Sequence, residues 1–140
     1  MTRWLRASLY SVFGLLWLTG ALWLVLHWFF QVPTQFGASP HPLQPGVLIA
    51  HGLLGVVALF FLGWMSGTHV VSGWKRGGKR GSGTSLTAAL AVLALTGFAT
   101  YYLTSEPSMS ADALAHEVVG LAAVLPTLLH WIPGARASKG

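Results

Sequence analysis

The chain has 140 residues, of which 54% are hydrophobic and 8% charged, with a formal net charge of +5 and no cysteine. Charge is too scarce to coat a water-soluble domain of this size. The missing thiols exclude disulfides, iron–sulfur ligation and the C-x-x-C-H attachment of c-type haem.

Four apolar runs, at about 8–31, 46–73, 84–105 and 111–132, are each long enough to cross roughly 30 Å of hydrocarbon at 1.5 Å per residue. They predict an all-α fold, a four-helix transmembrane bundle running up-down-up-down, and leave no room for a second domain. Arg3 and Arg6 before the first run resemble a signal peptide. The run is too long for one, however, and no small-x-small cleavage site follows it, so it is read as a permanent span. The loop at 32–45 carries Pro33, Pro40, Pro42 and Pro45 and is expected to be stiff and irregular. The segment from Lys75 to Gly83 is glycine-rich and basic, and is expected to be a flexible loop against anionic headgroups.

The basic charge does not form a nucleic-acid footprint. Arg3 and Arg6 precede the first span, Lys75, Arg76, Lys79 and Arg80 separate the second from the third, and Arg136 and Lys139 follow the fourth. With an even number of spans these segments share one side, and Glu106 and Asp112 lie on the other. The positive-inside rule then predicts cytoplasmic termini in a multi-pass membrane protein.

The two halves repeat. Leu16-Trp17-Leu18-Thr19-Gly20 in the first span matches Leu93-Ala94-Leu95-Thr96-Gly97 in the third. Ala50-His51-Gly52-Leu53-Leu54-Gly55 in the second matches Ala115-His116-Glu117-Val118-Val119-Gly120 in the fourth. The order is the same in both halves, which predicts a duplicated hairpin related by a pseudo-twofold axis along the membrane normal. Thr19 and Thr96 are expected to bond carbonyls of their own helices.

Ionisable side chains within a span mark function. His51 and His69 lie 18 residues apart in the second span, five full helical turns and about 27 Å. His116 and His130 lie 14 apart in the fourth, about 40° short of four turns and about 21 Å. The second and fourth spans run in the same direction, so His51 and His116 share an outer level and His69 and His130 an inner one. Two imidazoles per level complete the axial positions of a haem iron, whereas a structural zinc asks for four protein ligands. The expectation is two non-covalent b haems with these four histidines as iron ligands. Gly20, Gly55, Gly97 and Gly120 would give the flat macrocycles room. The mismatch of 18 against 14 amounts to one turn, about 6 Å, which tilt or a bend at Gly63, Gly67 or Gly73 would absorb. His27 at the outer end of the first span and His41 in the loop are read as interfacial residues rather than ligands. Glu117, beside His116, is a candidate for proton transfer at an outer site; the alternative is a carboxylate that simply reaches the interface.

With these histidines in place the chain resembles the bacterial cytochrome b561-type family of four-helix di-haem membrane proteins. It is also similar to the cytochrome b subunits of membrane hydrogenases and formate dehydrogenases. In that family a late helix carries two histidines about four turns apart, each on a different haem, and His116 with His130 matches. The family often takes a ligand from its first helix, and here that helix has no inner histidine. The resemblance implies a bacterial inner membrane, a quinone as redox partner and electron transfer to or from an outer-side protein or small molecule, alone or inside a larger redox complex. Two other functions stay open: an oxidoreductase in its own right acting on superoxide or a quinol, and a haem-free membrane subunit or transporter using histidines for protons or metal.

Overall fold

The computed structural model describes residues 3–76, 80–103 and 111–131. Lys79, Glu106, Arg136 and Lys139, used above to orient the chain, lie outside them. The fold is all-α apart from one small ribbon, and four helices are long and apolar enough to cross a membrane. Among the described residues large apolar side chains point outward, as at Phe60 (74% exposed) and Leu95 (71%). Such a surface suits a lipid solvent and not water.

The residues fall into two compact units, Met1–Gly67 and Thr68–Gly140. In the first, α1 (Arg3–Phe29) packs against α2 (Gln44–Met65). Between them the loop expected to be irregular forms an antiparallel ribbon, β1 (Val32–Thr34) against β2 (Gly37–Ser39). Gly37 takes φ +111, the left-handed region that a glycine enters without a Cβ clash. The Thr34 hydroxyl braces the turn by donating to the Gly37 carbonyl at 2.7 Å and accepting the Phe36 N–H at 3.2 Å. A proline in its first turn suits the start of α2, where a missing N–H leaves no bond unmade.

The second span does not continue as a plain helix. After Met65 the backbone widens into a π-turn, Ser66–Val70, and returns to α-helix in α3 (Val71–Arg76). His69 sits inside the π-turn. A π-turn takes up extra residues locally, so it re-phases everything beyond it. It is the feature at the place where the spacing of 18 calls for a bend.

In the second unit α4 (Arg80–Tyr102) packs against α5 (Ala111–Ala122) and α6 (Val124–Trp131). Helix α4 starts earlier than expected, so Gly81, Ser82 and Gly83 are helical residues and not loop. Asp112 lies in the first turn of α5, where a negative charge favours the helix dipole. The fourth span is interrupted at Ala123. Pro126 explains the break, because it has no N–H to give to the carbonyl four residues before it. Backbone bonds from Ala123 to Val119 and from Thr127 to Ala123 carry the chain across it.

Candidate histidine centre

Each unit holds its repeat histidine in the same way. His51 on α2 points at α1. Its Nδ1 lies 3.0 Å from the Leu16 carbonyl and 3.1 Å from the Thr19 hydroxyl. A carbonyl only accepts, so Nδ1 carries the proton. The Thr19 hydroxyl lies 2.9 Å from the Leu15 carbonyl and 3.0 Å from that of Leu16, donates within its own helix, and so accepts from the imidazole. Gly20 makes the close approach possible: a Cβ there would stand 3.0 Å from His51 Cε1.

The second unit repeats the geometry. His116 Nδ1 lies 3.1 Å from the Thr96 hydroxyl, which donates to the Val92 carbonyl at 2.8 Å. A Cβ on Gly97 would stand 3.1 Å from His116 Cε1. The two recurring sequence patterns are therefore one device. The Thr-Gly of one helix is a seat for the histidine of the next. Gly20 and Gly97, expected to make room for a macrocycle, make room for imidazole rings. A Cβ on Gly55 would meet nothing within 4 Å, and one on Gly120 would meet Leu93 at 3.6 Å.

A third seat is not legible as a repeat. Ser82 Oγ lies 3.3 Å from His130 Nδ1, and a Cβ on Gly83 would stand 3.5 Å from His130 Cε1. The antiparallel packing of α4 against α5 and α6 explains it. Moving 14 residues back from Thr96-Gly97 reaches Ser82-Gly83, and moving 14 forward from His116 reaches His130. The signal is a hydroxyl–glycine pair spaced as the histidines are.

A proton on Nδ1 leaves the lone pair on Nε2, the arrangement of an imidazole whose other nitrogen binds a metal. His69 and His130 come together, with ring centroids 6.0 Å apart and planes at 86°. Two imidazoles on one iron bond it at about 2 Å each, and a ring centre lies about 1.2 Å behind its nitrogen, so the centres stand about 6.4 Å apart. Each ring turns about its own metal–nitrogen bond, so perpendicular planes suit the arrangement. An edge-to-face packing contact has a similar spacing. Among the described residues no three His, Asp or Glu side chains gather as they would around a bare metal ion. His69 and His130 offer one pair of donors, a number that would suit an iron already held by four porphyrin nitrogens.

The other two histidines are engaged locally. His27 stacks on Trp23 at 4.8 Å and meets Trp28 edge-on at 5.2 Å, both on its own helix. His41 Nδ1 accepts the Leu43 N–H at 3.2 Å in the turn before α2. Glu117 is half-buried on α5, next in sequence to His116. No family model, curated protein or solved structure matches the chain.

Proposed function

We propose that the chain is a di-haem b-type cytochrome that carries electrons across a membrane. The observation that carries this reading is the meeting of His69 and His130 at a spacing suited to one iron. The tautomer that the seats impose on His51 and His116 supports it, since Nδ1 is spoken for in both.

In this reading His69 and His130 hold an inner haem, and His51 and His116 are the ligands of an outer one. Haem b, when bound, supplies reversible one-electron chemistry at iron. The chain would supply the ligating imidazoles, and Thr19, Thr96 and Ser82 orient those of His51, His116 and His130. Gly55 leaves the backbone open one turn beyond His51, whereas Gly120, one turn beyond His116, faces Leu93. Basic residues at both ends and between the hairpins favour cytoplasmic termini by the positive-inside rule, and the membrane in this reading is a bacterial inner membrane. Electrons would then pass between an outer-side donor or acceptor and a quinone, with Glu117 moving the proton that quinone chemistry requires at the outer side.

A reduced-minus-oxidised spectrum with a pyridine haemochrome assay on the purified chain tests the reading. Two low-spin, non-covalent b haems per chain are expected. A preparation without a Soret band would favour a haem-free transporter or subunit.

A further inference from the structure

The membrane histidines are not held alike, and the contrast leads beyond electron transfer while resting on the di-haem reading. His51, His116 and His130 each face a hydroxyl and a glycine on a neighbouring helix. His69 differs in three respects. It lies within the π-turn Ser66–Val70. Its side chain is exposed. Among the described residues, its ring has the contact with His130 but no hydrogen bond on either nitrogen.

The third difference weakens its hold on a metal. Hydrogen bonds to the far nitrogen of a ligating imidazole fix its tautomer and orientation, and losing one typically lowers metal affinity about 10–100-fold. A π-turn is a local departure from the α pattern, frequent at functional sites. His69 therefore stands on irregular backbone with no hydrogen bond to hold its ring among the described residues. His130 has the opposite: a seat on α4 in the register that the outer histidines use.

We propose that His69 is a detachable ligand, and that the inner haem iron is a binding site for a small neutral ligand of the carbon monoxide type. The exchange is a substitution. The bond from iron to the His69 imidazole nitrogen breaks, a bond from iron to the incoming ligand forms, the imidazole leaves neutral, and no electron is transferred. A haem held by the seated His51 and His116 would stay closed. The membrane supplies such a ligand readily, because small uncharged gases dissolve in hydrocarbon.

The test uses the reduced, haem-loaded protein and carbon monoxide. One of the two haems is expected to shift its Soret band on titration, and the other to keep its low-spin spectrum. With excess reductant removed, diethyl pyrocarbonate footprinting read by mass spectrometry should show His69 newly reactive under carbon monoxide, with His51, His116 and His130 unchanged. His69→Ala should bind the gas at least about tenfold faster, since the displacement step is gone. Two intact low-spin haems that both ignore carbon monoxide would overturn the proposal and leave the cytochrome reading standing. So would His130 becoming the reactive histidine. A chain without haem would overturn both.

Discussion

The two hairpins carry the same histidine seat and differ at the other end. Hairpin two has a second seat 14 residues away, Ser82-Gly83 facing His130. Hairpin one has Leu5-Arg6 and Met65 at the equivalent positions. Its second histidine comes four residues later, as His69 inside a π-turn. The duplicated pattern thus persists where a hydroxyl, a glycine and an imidazole lock together across two helices. Where the lock is missing, the backbone itself is altered.

The largest effects should come from the histidines. If the pairing is right, His51→Ala and His116→Ala each remove the same haem, and the double variant loses nothing more, because residues acting as one unit are non-additive. His69→Ala and His130→Ala should both perturb the other haem. His130→Ala should abolish it, whereas His69→Ala leaves it on one seated ligand. His27→Ala should leave both spectra intact, since its ring packs on Trp23 and Trp28. A loss of the His116 haem in His27→Ala, with that haem retained in His51→Ala, would break the comparison, because α1 would then supply the ligand.

Glycine substitutions sharpen it by degree. A methyl at Gly20 or Gly97 would stand 3.0 or 3.1 Å from a histidine carbon, and at Gly83 3.5 Å. The first two contacts force a shift, and the third is ordinary van der Waals contact. Gly20→Ala and Gly97→Ala should therefore destabilise the protein by about 1–3 kcal/mol and lower haem occupancy. Gly83→Ala should be mild, because alanine is also the better helix former by about 1 kcal/mol. Thermal melts followed at the Soret band would rank the three. Equal effects at all three positions would mean that the seats are not the reason for the glycines.

The hydroxyls should give the smallest shifts. An acceptor on Nδ1–H makes the imidazole a stronger donor and favours ferric iron, so Thr19→Val and Thr96→Val should raise the potential of the haem they serve. Each should cost about 1 kcal/mol of stability. Serine at either position should restore both values. Redox titration of valine and serine variants side by side separates a role in orientation from one in packing, since valine keeps the volume.

Much of this arrangement is legible in the amino-acid order alone. Charge scarcity and run length define the spans, and two short repeats mark the histidines and the threonines. The repeats do not reveal that they touch, because contact depends on the register between antiparallel helices and each pattern lies on a single helix. Thr19 and Thr96 bond their own carbonyls, as expected of Thr in a span, while also meeting an imidazole. Ser82 is hidden by propensity. Gly81 and Gly83 are poor helix formers, so the segment reads as loop, yet packing against α6 keeps it helical. The π-turn leaves no mark in sequence beyond an 18-residue spacing that does not match 14. The ribbon at 32–39 is masked by its prolines, although Pro33 in a two-stranded ribbon interrupts no central strand.

The threonine seats bear on the order of assembly. Each threonine is tied to carbonyls of its own helix, so the acceptor is already aimed when the second helix of the hairpin arrives. Within one hairpin an imidazole then finds its tautomer from neighbours made during the same insertion event. A prosthetic group joining later would meet nitrogens already turned to receive it, with little rearrangement left to slow its capture.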